Sequence, residues 1–176
     1  ALSQRDQLIA HPIKIARAAE PFEHIRLLTE AAGRKTGSVP TVFLFKMGNV
    51  AMRQARAAFV TNFFGCAGFD IRDNLGFASV DEAVAAATAA KSDIAVLCSS
   101  DDEYVELARE ACPKLRAAIP HVKIVVAGFP KESIDALKEL GVDDFVHVRT
   151  VAQESLANWQ LQLGMNEAAD ASELRA

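Results

Sequence analysis

Thr41-Val42-Phe43-Leu44-Phe45-Lys46-Met47-Gly48-Asn49-Val50-Ala51-Met52-Arg53-Gln54-Ala55 decides the fold. An apolar strand run, Thr41–Phe45, ends at Lys46-Met47-Gly48 and gives way to a helical pattern. In an open α/β sheet such a junction, beyond the carboxyl end of a strand, is where ligands bind. The same strand-then-helix alternation recurs five times between residues 41 and 164. The further strand runs are Phe69–Arg72, Asp93–Leu97, Val122–Ala127 and Asp144–Val148. The middle runs are apolar on consecutive residues, which predicts burial on both sheet faces. Ser79-Val80-Asp81-Glu82, Ser100-Asp101-Asp102-Glu103 and Thr150-Val151-Ala152-Gln153 read as capping boxes. Pro130 opens a helix that Gly141 closes. Repeated βα units predict an α/β fold, a five-stranded parallel doubly wound sheet in the flavodoxin-like order 2-1-3-4-5.

Composition narrows the rest. A net charge of -4 gives no electrostatic case for nucleic acid. No apolar run approaches the roughly 18 residues that span a bilayer, so no membrane role is expected. No basic-then-apolar leader is visible. The opening Ala1-Leu2, without an initiator methionine, points to a piece of something longer. Cys66, Cys98 and Cys112 form neither a C-x-x-C pair nor a disulfide framework. They read as buried small hydrophobes in a cytoplasmic protein.

Residues 1–38 read as a helical connector and linker, 39–165 as the α/β domain and 166–176 as a frayed tail. In the connector, Ile15, Ala18, Ala19, Phe22, Ile25 and Leu28 recur at helical spacing up to Ala32, with a fresh start at Pro21. Gly33–Pro40 is a linker by composition. The helix is therefore expected to be loosely tied to the domain. Its apolar face then needs a cover, a second copy of the chain being one candidate.

Lys46-Met47-Gly48 resembles the start of the loop Lys-Met-Gly-x-Asp-x-His-x-x-Gly of coenzyme-dependent acyl-CoA mutases. In those proteins the histidine ligates cobalt and the aspartate holds the histidine from behind. Here Val50 stands for the aspartate, Met52 for the histidine and Ala55 for the glycine. Ser99 matches a serine that touches the nucleotide tail, but Asp101 replaces the leucine of that pattern and places a charge at the mouth. Ala127-Gly128 keeps half of a Gly-Gly pair, and Arg149-Thr150 replaces a Gly-Thr pair. A stripe of Met52, Ala55, Phe59, Phe63 and Cys66 is expected to face the sheet, with Phe59, Phe63 and Phe64 filling the tail space.

The span Val39–Gly164 thus resembles the cobalamin-binding domain of the methylmalonyl-CoA mutase family, in the form of its small subunit. Ala18-Ala19-Glu20-Pro21-Phe22-Glu23-His24-Ile25-Arg26 resembles the end of that family's barrel domain and the start of its connector. The resemblance implies a non-catalytic domain with no catalytic residue and no cofactor of its own. It implies a large-subunit partner that holds adenosylcobalamin and interconverts methylmalonyl-CoA and succinyl-CoA. The alternative is the corrinoid-binding domain of an active adenosylcobalamin-dependent mutase with an unusual ligand set. Residues 50, 52 and 55 favour the first.

Other chemistries find little support. No G-x-G-x-x-G or Walker loop is present. His11, His24, His121 and His147 lie far apart, so no metal site is expected. Asp101-Asp102 resembles the phosphoacceptor corner of a signalling receiver domain. That reading wants acidic residues where Lys46-Met47-Gly48 stands and a lysine where Arg149 stands.

Overall fold

The computed structural model describes residues 19–165. Helix α1 (Glu20–Thr36) leads into β1 (Thr41–Lys46), α2 (Val50–Gly65), β2 (Asp70–Arg72) and α3 (Val80–Ala89). Then come β3 (Ile94–Cys98), α4 (Tyr104–Ala118) and β4 (Lys123–Ala127). A 3-10 turn (Lys131–Ser133) runs into α5 (Ile134–Glu139), followed by β5 (Asp144–Val146) and α6 (Ala152–Gln162). The strands form one parallel sheet in the order β2-β1-β3-β4-β5, the flavodoxin-like order expected from the sequence.

Side chains alternate across the sheet, so each strand feeds two cores. Phe43, Phe45, Ala95, Leu97, Ile124 and Val126 meet α3, α4 and α5. Val42, Leu44, Ile94, Val96, Val125 and Ala127 meet α1, α2 and α6 on the other face. Each such Val, Leu, Ile or Phe side chain, fully buried, contributes roughly 1.5–3 kcal/mol, and each Ala less. Ser79 caps α3 as its sequence predicts, accepting from the Glu82 N–H at 3.3 Å. Gly141 closes the α5 segment with φ 101°.

Several expectations need correction. The Gly33–Pro40 linker is shorter, because α1 runs through Thr36 and ends on Gly37 in the left-handed region. Nor is α1 loosely attached. Ile25, Thr29 and Ala32 are buried, and Gln160 on α6 donates to the Ile25 carbonyl (2.6 Å) and the Thr29 hydroxyl (2.9 Å). Among the described residues this part of the face is covered within the chain, while Ile15 and Ala18 lie outside them. The parts of the connector and tail in 1–18 and 166–176 lie outside the described residues.

On α2 the buried stripe is Ala57, Val60, Phe63 and Phe64, not the one expected. Met52, Ala55 and Cys66 are exposed and Phe59 is half-buried. The reason is that Arg53 and Arg56 take the inward-facing positions in the first turns, so the apolar spacing there misleads. Cys98 and Cys112 are buried as expected; Cys66 is not. The Thr150 box also fails: Thr150 Oγ1 accepts from the His147 N–H at 3.0 Å, closing the turn after β5 rather than capping α6.

Gln160→Ala is expected to cost about 1–3 kcal/mol, since it strands buried partners on α1. Amide exchange should speed up in α1 more than in β3. Unchanged exchange in α1, with a cost below about 0.5 kcal/mol, would show that this latch does not hold the helix.

Candidate functional site

The strand order reverses between β1 and β3, where Lys46 pairs in register with Cys98. Ligands of open α/β sheets bind at this switch point. Two loops frame it: Met47–Asn49, entering α2, and Ser99–Glu103, entering α4. The Met47 N–H continues the ladder to the Cys98 carbonyl at 3.2 Å. Asn49 caps α2, its side chain accepting from the Met52 N–H at 3.0 Å.

Glu103 joins the two loops. One carboxylate oxygen accepts from the Ser99 hydroxyl, the Asn49 N–H (3.0 Å) and the Ser100 N–H (3.4 Å). The Ser99 hydroxyl first, then the Asn49 N–H, hold the Glu103 carboxyl down at about 2. Gly48 has φ 67°, and a Cβ there would overlap the Glu103 carboxylate and come within 2.6 Å of Ser99 Oγ. The Ser100 capping box is thus realised only in part: the glutamate reaches back to the Ser100 N–H, while α4 begins at Tyr104.

Tyr104 continues the closure toward β4. Its buried hydroxyl donates to the Ala127 carbonyl (2.6 Å) and accepts from the Ser99 N–H (3.2 Å). Burial pushes its phenol far up, so it remains a neutral donor. Above Gly128, Arg56 of α2 pairs with Asp101 at 2.9 Å. A Cβ on Gly128 would lie 3.2 Å from the Asp101 carboxylate and 3.4 Å from the Arg56 guanidinium carbon. Arg53 spans the other side, donating to the carbonyls of Gly48 (3.4 Å) and Leu75 (3.3 Å). Lys46, 1% exposed, meets Asp73 at 2.7 Å and Gln54 at 3.4 Å.

The motif positions divide into two groups. Ser99, Ala127 and Gly128 gather at the switch point, with Ser99 and Ala127 buried. Val50 (67% exposed), Met52 (36%) and Ala55 lie on the outer side of α2. Val50 offers no acceptor and Met52 only a thioether, so the residues present do not fit a histidine-ligated corrinoid. Among the described residues no group of three or more His, Cys, Asp or Glu could hold a metal ion. Burial pushes the Cys98 thiol up to about 12, which leaves it a poor nucleophile beside Lys46. His147 lies just past β5, its ring 4.7 Å from that of Phe129. A shallow groove of about 390 Å³ remains on the β4 side, lined by Asp101, Asp102, Phe129 and residues 130–133.

Reading the sequence missed Arg56 and Tyr104. Arg56 interrupts an apolar stripe at an inward-facing position, the one signal that marks it. Tyr104 has no local signal, because its partner, the Ala127 carbonyl, lies 23 residues away.

The methylmalonyl-CoA mutase small subunit of Porphyromonas gingivalis is 47% identical over 154 residues, 88% of this chain and 24% of that one. The chain belongs to the methylmalonyl-CoA mutase small-subunit family. The small subunit of Streptomyces virginiae matches at 32% over 102 residues, 58% of this chain and 17% of that one. The probable small subunit of Mycobacterium tuberculosis matches at 28% over 152 residues, 85% and 24%. The chain thus spans a quarter or less of the length of these relatives. No protein-family model matches it. Among solved structures, a response regulator from Thermotoga maritima has TM-score 0.45 at 18% identity, covering 70% of this chain and 97% of that one. A putative pilus assembly-related protein from Burkholderia pseudomallei has TM-score 0.47 at 15% identity, covering 76% and 94%. Neither likeness adds to the strand order read from the ladders themselves.

The Glu103 carboxyl carries a pH signature. A glutamate ordinarily titrates near 4.5, and here it is held at about 2. Its stabilisation is complete above pH 4.5 and drains away as pH falls through about 2, because the unfolded chain takes up the proton first. Urea melts of wild type and Glu103→Gln should therefore show a stability gap that is constant above pH 4.5 and narrows below it. A gap unchanged down to pH 2 would contradict the assignment.

Proposed function

We propose that this chain is a non-catalytic, cobalamin-binding-like module of a methylmalonyl-CoA mutase small subunit. It holds no corrinoid, and it serves the cytoplasmic enzyme by pairing with and stabilising the large subunit. Adenosylcobalamin and the acyl-CoA belong to that partner, which interconverts methylmalonyl-CoA and succinyl-CoA. The observation that carries the reading is the switch point itself. Glu103 ties its two loops together, and no imidazole stands at position 52.

A second feature supports a docking role. Val50, Met52, Leu75, Phe129, Val148 and Val151 are exposed, and all lie on or beside the loops at the carboxyl edge of the sheet. Leu75 is 95% exposed. Apolar residues gathered on one edge mark a surface that packs on other protein. Among the described residues no helix is long and apolar enough to cross a membrane.

Calorimetry with hydroxocobalamin is expected to give no binding tighter than a Kd of about 10 μM, roughly 7 kcal/mol. A tighter Kd would restore the active-mutase reading. The large subunit should melt at a higher temperature beside the whole small subunit than beside one lacking this region. Equal melting temperatures would remove the stabilising role.

A further inference from the structure

We propose that Glu103 is an internal strap that keeps the switch-point crevice shut, so that loss of the cofactor site is enforced by a bond this chain makes and not only by ligands it lacks. The inference rests on the reading that the chain holds no corrinoid, and it adds the side chain responsible.

Three observations converge on it. First, donors from both loops meet a single carboxylate oxygen: the Asn49 N–H before α2, and the Ser99 hydroxyl and Ser100 N–H before α4. A charged acceptor shared by three donors is stronger than a neutral bond at each. Second, Gly48 leaves the carboxylate its space, since a side chain there would overlap it. Gly48 therefore has a use in the closed crevice that owes nothing to a cofactor. Third, the neighbouring gap is bridged in the same way. Arg56 and Asp101 pair across Gly128, joining α2 to the loop that carries Ser99.

The aromatic residues of α2 pack on the sheet, as expected. Phe63 is buried on the second half of α2 with Phe64 and Phe69, inside the core of that face, while Phe59 is only half-buried beside it. At the carboxyl edge itself, polar bridges join the loops.

The strap makes a local prediction that general destabilisation does not. In Glu103→Ala, amide exchange at Asn49 and Ser100 should speed up at least tenfold (about 1.4 kcal/mol of local opening), while Val96 and Val125 in the sheet keep wild-type rates. Glu103→Gln, which retains an acceptor oxygen, should fall between the two and serves if the alanine variant does not fold. Acceleration spread evenly over loops and sheet, or none at Asn49 and Ser100, would overturn the strap. A hydroxocobalamin titration of wild type in parallel separates the claims. Binding there would defeat the proposed function, whereas unchanged loop exchange in Glu103→Ala, beside a wild type that does not bind, would defeat only the strap.

Discussion

Every connection between parallel strands must cross a face of the sheet, and here five strands run parallel. Both faces therefore end up under helices, and no strand interior can meet a ligand. α1, α2 and α6 seal one side; α3, α4 and α5 seal the other. What remains open is the carboxyl edge, where loops leave β1 and β3 in opposite directions. The chemistry of the domain is decided at that edge. Its character follows from what its loops present: a bridging carboxylate, two arginines that reach across glycines, and a rim of exposed apolar residues.

The two-sided burial explains why the fold was legible. Consecutive apolar residues in Ile94–Cys98 and Lys123–Ala127 are what a strand covered on both faces requires, and five repeated βα units made the order 2-1-3-4-5 the natural expectation, which the ladders bear out. Local signals also worked where the partner is local, as at Ser79 with Glu82. They failed where a distant residue decides. Gln160 anchors α1 from 131 residues away at Thr29, so α1 looked free when it is docked. On α2, a stripe counted by hydrophobicity alone passed over Arg53 and Arg56, whose guanidiniums reach the edge while their stems lie along the helix.

The site was legible in outline and not in detail. At positions 50 and 52 the chemistry is visible in the residue itself, since Val50 has no hydrogen-bond acceptor and Met52 only a thioether. Asp101 was expected as a charge at the mouth, and it stands there, but neutralised by Arg56. Glu103 was visible only as part of a capping box. Its reach to Asn49 spans 54 residues of chain and needs the sheet to bring β1 beside β3.

Two features stand side by side at the carboxyl edge. Positions 50, 52 and 55 present no imidazole and no carboxylate, and the loops after β1 and β3 are joined by bonds within the chain. The same edge carries the exposed Val50, Leu75, Phe129, Val148 and Val151. The most direct measurement is the corrinoid content of the reconstituted mutase, counted by absorbance per pair of large and small subunits. The account predicts one corrinoid for each pair. Two per pair would contradict it.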